Sequence, residues 1–298
     1  MIAFLFPGQG AQFSGMGAKL IDSFPSEVSM ADGVLQESIA ALCQAEDTYL
    51  RRTDNTQPAL FFVNALYAQE LEQMGIRPSL AAGHSLGELN ALVSAGVMSL
   101  KDGLKVALAR GRAMAYAAEK RAFHGGMVAI GSVTDPESLR GLLDEEYSDC
   151  DLAADNSPTQ LAVSGPADRV KGLARRVDER GLGRATVLNV GGAFHSRYMR
   201  DASNAYREWL FSGEIDVNAP SIPVFSNVTA EPYPSDRTEV TELMVQQLTS
   251  PVRWRDEVHA MARQGPVLFQ ELGPRSIVTS LASEVLQAMH RDEVVGRQ

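Results

Sequence analysis

The chain has 298 residues, 45% hydrophobic and 21% charged, the balance of a folded soluble protein with a sizeable core. Acidic residues outnumber Lys and Arg by 37 to 27, and the resulting charge of −10 repels DNA and RNA, so no nucleic-acid partner is expected. Two distant cysteines, Cys43 and Cys150, argue against a disulfide framework or a CxxC zinc site; no metal is expected, and a reducing cytoplasm fits best.

The opening MIAFLF is too short for a signal peptide, and no apolar run approaches the roughly 18 residues of a membrane span. A soluble cytoplasmic protein without a membrane partner is expected. Ile2–Phe6 is wholly apolar and stops at Pro7-Gly8, which predicts a buried parallel strand. Between Ala59 and Met74, apolar residues at Leu60, Val63, Leu66, Tyr67 and Leu71 have helical spacing, ending at Gly75. Leu80-Ala81-Ala82 leads into Gly83 as the end of a second strand. Leu86–Ala95 reads as a helix, and Ser99-Leu100-Lys101-Asp102 as a capping box opening another. Alternation of strand, turn and helix predicts an α/β sheet with parallel strands.

The rhythm changes after His124-Gly125-Gly126. A strand over Met127–Ser132 and a helix from Asp135-Pro136 to about Glu146 come first. A hairpin of Leu152–Asn156 and Gln160–Ser164, a helix Ala167–Arg180 and a strand Ala185–Val190 follow. The order βαββαβ is that of a ferredoxin-like unit. The expected organisation is a large α/β subdomain of residues 1–124 and 191–298 with a small inserted one of 125–190. The cleft between them is the expected ligand site.

Gly83-His84-Ser85-Leu86-Gly87 fits G-x-S-x-G between an apolar run and a helix, the setting of a nucleophile elbow. The glycines permit a sharp turn that exposes the Ser85 hydroxyl at a helix N-terminus, where free N–H groups can stabilise an oxyanion. A serine nucleophile needs a base. His84 adjoins the nucleophile and should point away from it; His259 lies in a helical run and His290 near a terminus. His124 borders the insert and stays open as an alternative. His195, where the chain re-enters the large subdomain, is the expected base.

FPGQGAQ at 6–12, NTQPAL at 55–60, AGHSLGELNALVSAGV at 82–97, ARGRAM at 109–114, DNSPTQLAVSG at 155–165, GAFHS at 192–196 and QQLTSPVRW at 246–254 stand in that order. Together they closely resemble the malonyl-CoA:acyl carrier protein transacylase family, above all the free-standing acyltransferases of polyketide synthases. The resemblance implies an α/β-hydrolase-like core with an inserted ferredoxin-like subdomain. It also implies Ser85 as nucleophile, His195 as base, and the backbone N–H groups of Gln9 and Leu86 as oxyanion hole. The family orients the histidine through a backbone carbonyl near the residue matching Gln247. Gln57 matches a glutamine near the reacting centre that can equally brace a loop.

Arg110 lies among Leu108, Ala109 and Gly111, with Met114 one turn on along the same face. A guanidinium in so apolar a setting needs a carboxylate partner; in the family that partner is the malonyl carboxylate. A permanent ion pair is the bland alternative, and Arg112 reads as solvated. Phenylalanine before the catalytic histidine, here Phe194, accompanies malonyl over methylmalonyl selection in the family. Gly192 departs from the histidine often found there.

The implied activity is ping-pong transfer of malonyl from malonyl-CoA to the phosphopantetheine thiol of an acyl carrier protein, for polyketide or fatty acid synthesis. No cofactor is implied, and a monomer is favoured. Residues 167–184 carry a net +3 that either faces an acidic carrier protein or is a solvated helix face. A proofreading acyl-thioester hydrolase, a malonate decarboxylase subunit and a silent scaffold are the competing readings.

Overall fold

In a computed structural model, residues 1–120 and 123–295 are described, with side chains as far as Arg291. Ile2–Phe6 forms β1, with Ala3, Phe4, Leu5 and Phe6 fully buried, because both faces of a central parallel strand are covered. The strands that follow are β2 (Leu80–Gly83), β3 (Gly125–Gly131), β4 (Asp151–Ser157) and β5 (Gln160–Pro166). The last three are β6 (Arg184–Leu188), β7 (Val224–Phe225) and β8 (Leu268–Glu271). One sheet has the order β7-β2-β1-β8, every pair parallel. Its two central strands end side by side, Phe6 opposite Gly83. The turns Pro7–Gly10 and His84–Gly87 therefore emerge together at the carboxyl edge, where α/β sheets bind ligands.

Two helices matter for the site. The helix expected from Ala59 starts at Thr53 and runs to Gln73, with Pro58 inside it. Asn55 Nδ2 donates to the Tyr49 carbonyl at 2.9 Å and Thr56 Oγ1 to that of Leu50 at 2.5 Å, bonds that anchor the early turn. The helix Leu100–Glu119 is capped as expected: Ser99 Oγ accepts from the Asp102 N–H at 3.0 Å and donates to its carboxylate at 2.8 Å. These two helices cross where a Cβ on Gly111 would lie 3.0 Å from Gln57 Cβ, so glycine there brings Arg110 and Gln57 together.

The second sheet has the order β4-β5-β3-β6, every pair antiparallel. With the helices Pro136–Glu146 and Ala167–Glu179 it makes the βαββαβ ferredoxin-like arrangement. One face packs on those helices through Val128, Ile130, Val163, Leu139, Val170 and Leu173. The other presents Met127, Ala153, Ala154 and Ala162 to the main core. Small side chains there leave a cleft between the sheets. The hairpin is tied down at its tip, where Ser157 Oγ and Thr159 Oγ1 donate to Glu284 at 2.6 and 3.1 Å. The chain enters and leaves this unit at close quarters: a Cβ on Gly125 would meet the Ala193 nitrogen at 2.4 Å. The two sheets define an α/β-hydrolase-like core carrying a ferredoxin-like unit. No helix among the described residues is long and apolar enough to cross a membrane.

Candidate active site

Ser85 follows β2 in a left-handed conformation, φ 53°, rare for a residue with a side chain. Three glycines make the turn possible. A Cβ on Gly83 would lie 2.0 Å from the Gly87 carbonyl carbon, one on Gly87 2.1 Å from the Phe6 carbonyl oxygen, and one on Gly8 2.3 Å from the His84 carbonyl oxygen. The Ser85 N–H donates to Asn227 Oδ1 at 2.7 Å, which holds the strained residue in place. The helix Gly87–Ser94 begins at once, with Leu86 at its N-cap position, where N–H groups lack intrahelical acceptors.

The Ser85 hydroxyl lies 2.6 Å from His195 Nε2. His195 is itself at φ 55°, and its Nδ1 lies 2.9 Å from the Gln247 carbonyl and 3.2 Å from that of Ser250. Two carbonyls can only accept, so Nδ1 carries the proton and Nε2 faces the serine as an acceptor. Burial first, then the charge of Arg110, lowers the imidazole pKa to about 3. The preceding residue is pinned as well, since Ser164 Oγ of β5 donates to the Phe194 carbonyl at 2.5 Å.

The other histidines lie apart from the hydroxyl. His84 Nε2 reaches Asn156 Oδ1 at 2.8 Å, so its ring points from the elbow toward the small sheet. His124 is exposed, its carbonyl accepting from the Ala167 N–H. His259 sits in the helix Trp254–Ala262 and His290 is exposed on the last helix.

Arg110 is completely buried. Nη1 donates to Gln57 Oε1 at 2.5 Å, and Nη2 to Gln247 Oε1 at 2.8 Å and to Ser85 Oγ at 3.2 Å; Nε has no partner. The expected carboxylate is therefore not supplied by the chain: among the described residues Arg110 bonds glutamine carbonyls and a hydroxyl. Its direct partners are neutral, and the buried Glu88 carboxylate acts on it through space. Arg112 is exposed, as expected.

The cleft beside Ser85 is lined by Gly8, Gln9 and Gly10 on one side and by Met114, Phe194 and Leu281 among its apolar residues. A Cβ on Gly192 would come within 2.8 Å of the Phe194 ring, so the glycine that departs from the family pattern makes room for that ring. The basic segment on the small unit is partly spent within it. Arg169 pairs with Asp149 at 2.7 Å, Arg176 with Glu146 at 3.4 Å, and Arg180 also with Glu146. Lys171, Arg175 and Arg184 are exposed.

Behind the elbow lies a polar cluster that motif reading passes over. Glu88, Asn227, Tyr233 and Glu257 are all buried, with Asn227 Nδ2 bonding the Gly83 carbonyl at 2.7 Å and Glu257 at 2.9 Å. One signal was available: Glu88 is the only carboxylate in AGHSLGELNALVSAGV. Asn227, far along the chain, carries none.

The acyl transferase domain family matches residues 3–298. The polyketide biosynthesis protein ThaF of Burkholderia thailandensis is 40% identical over 96% of the chain, which spans about a quarter (24%) of ThaF's length. The polyketide biosynthesis malonyl CoA-acyl carrier protein transacylase PksC of Bacillus subtilis is 36% identical, over 96% of this chain and 97% of PksC. Among solved structures, the malonyl CoA-acyl carrier protein transacylase of Burkholderia pseudomallei superposes with a TM-score of 0.85 at 39% identity. That match covers 96% of this chain and 98% of the other. An elbow serine paired with a histidine, in a chain matched by the family over residues 3–298, makes this chain a member of the acyl transferase family.

Proposed function

We propose that the protein moves a malonyl group from malonyl-CoA to the phosphopantetheine thiol of an acyl carrier protein, with residues 125–190 acting as a small subdomain over the cleft. The observation that carries this reading is the buried Arg110, which bonds no carboxylate among the described residues and sits 3.2 Å from the Ser85 hydroxyl. An acyl group with a free carboxylate one carbon beyond its thioester carbonyl pairs with the guanidinium while its carbonyl carbon meets Ser85 Oγ.

In the first half-reaction His195 Nε2 takes the Ser85 proton as Oγ bonds to the thioester carbon. The N–H groups of Gln9 and Leu86 hold the resulting oxyanion. The carbon–sulfur bond then breaks, and coenzyme A leaves as the thiol with the proton from His195. In the second half-reaction the carrier thiol gives its proton to His195 and attacks the serine ester, and Ser85 departs with that proton. The two carbonyls on Nδ1 stabilise the imidazolium through both steps without a third carboxylate. The apolar cleft walls suit a pantetheine arm and keep water away. PksC and the Burkholderia pseudomallei enzyme, both malonyl CoA-acyl carrier protein transacylases, support this reading.

The test is single-turnover transfer from malonyl-CoA with and without a phosphopantetheine-bearing carrier protein. Malonyl-carrier formation that outpaces release of malonate is expected. Malonate release at one rate whether or not carrier is present would establish a hydrolase instead.

A further inference from the structure

We infer that Glu88, whose side chain bonds neither the Ser85 hydroxyl nor Arg110, is a positioning residue for acyl selection: its carboxylate fixes the Gln247 amide with its oxygen toward Arg110. This rests on the proposed malonyl transfer.

Glu88 is 1% exposed in the first turn of the helix Gly87–Ser94, where the helix N-terminus favours a negative charge. Three donors converge on its carboxylate. Oε2 accepts from Gln247 Nε2; Oε1 accepts from the Tyr233 hydroxyl and from the Asn227 N–H at 3.2 Å. As a carboxylate Glu88 accepts all three; burial raises its pKa to about 7, against the pull of these three donors and of the Arg110 charge.

The consequence falls on Gln247. Its Nε2 faces Glu88, the Ser85 carbonyl at 2.9 Å and Asn227 Oδ1 at 3.3 Å, all acceptors. The amide oxygen is thereby turned to Arg110 Nη2 at 2.8 Å. Reversal would set an NH2 group against the guanidinium and turn the amide oxygen on three acceptors, leaving Glu88 Oε2 without its donor. Glutamine at position 88 would put an NH2 group either against Gln247 or against Tyr233 and Asn227, so the amide loses its anchor or the backing pair loses its acceptor. Arg110 then keeps Gln57 alone as a carbonyl support and swings away from the position that receives an acyl carboxylate. His195 is spared, because it is oriented by the Gln247 backbone and not by that side chain.

A buried acid used only for packing is replaceable by an apolar residue of similar volume. Selection and folding are therefore separable by experiment. Glu88→Gln is compared with wild type for loading of malonyl-CoA and of acetyl-CoA, and for inactivation by a small neutral fluorophosphonate that needs only the serine, histidine and oxyanion donors. The malonyl-over-acetyl preference should fall about tenfold or more, mainly through KM for malonyl-CoA, while fluorophosphonate inactivation stays within about threefold. Should the variant not fold, Glu88→Asp keeps the charge but withdraws it by one methylene, and the same loss of preference is expected. An unchanged preference, or an equal fall in all three reactions, overturns the role of Glu88. A wild-type protein without a malonyl preference overturns malonyl transfer itself, and is seen before any variant is made.

Discussion

Arg110 Nη2 donates to Ser85 Oγ at 3.2 Å, so in the proposed reaction the charge that recognises the acyl group rests on the atom that attacks it. This bond draws electron density from the hydroxyl oxygen, and the same charge, after burial, lowers the His195 pKa. A carboxylate arriving at the guanidinium relieves both effects at once. Recognition and reactivity are thereby joined in one side chain.

Replacing that side chain separates them. Arg110→Ala should lower malonyl-CoA loading about a hundredfold, the loss of a charge-assisted contact worth roughly 3 kcal/mol, and leave acetyl-CoA loading within about threefold. Initial rates of acyl-enzyme formation with the two thioesters are the check. Equal losses would assign Arg110 to the fold.

The pH dependence follows from His195. Burial, then Arg110 and then His84 lower its pKa to about 3. A base works in its deprotonated form, so a lowered pKa moves the acid-side fall of activity downward. Inactivation of Ser85 by a neutral fluorophosphonate should be nearly constant from about pH 8 to about pH 5, where a free histidine would lose activity through its ordinary pKa near 6.5. A midpoint near 6.5 in that profile would contradict the burial argument.

Phe194 is 5% exposed and lines the cleft, its ring placed against Gly192. Phe194→Ala should open space for an α-methyl group and raise the methylmalonyl-to-malonyl loading ratio about tenfold to a hundredfold, the range for one methyl in an apolar pocket. Competition between the two thioesters, read by the mass of the acyl-enzyme, measures it. No change would place the methyl pocket elsewhere.

The elbow itself tolerates little. Gly87→Ala brings a methyl to 2.1 Å from the Phe6 carbonyl, a contact between two backbone elements that cannot move without parting β1 from the helix. A loss of about 3 kcal/mol or more is expected in urea unfolding. Ser85→Ala, which removes one oxygen, should unfold close to wild type.

Much of this was legible because each strand and helix announces itself locally. Ile2–Phe6 is apolar on both faces, Ser99 caps its helix, and the Ser157–Thr159 turn sits between two short runs. The helix marked by apolar spacing from Ala59 starts earlier, at Thr53, because its first turn is polar and is anchored by bonds from Asn55 and Thr56 to the segment just before it. Strands β7 and β8 are short and border β2 and β1 from far along the chain, so nothing local marks them. The site shows the same division. Ser85 and His195 follow from the elbow and the glycine-flanked re-entry, whereas Glu88, Asn227 and Tyr233 act through contacts more than 130 residues apart in sequence. The partner that the family resemblance implies for Arg110, the malonyl carboxylate, belongs to the substrate, and the described residues that hold the guanidinium are Gln57, Gln247 and the Ser85 hydroxyl.

The central claim is that Ser85 carries the malonyl group between two thiols. Intact-mass measurement of wild type and Ser85→Ala after mixing with malonyl-CoA, followed by addition of a phosphopantetheine-bearing carrier protein, tests it most directly. A single malonyl adduct on wild type, absent from the variant and moving to the carrier when it is added, is the expected result. An adduct of equal yield on Ser85→Ala, or malonyl transfer that proceeds without Ser85, would contradict it.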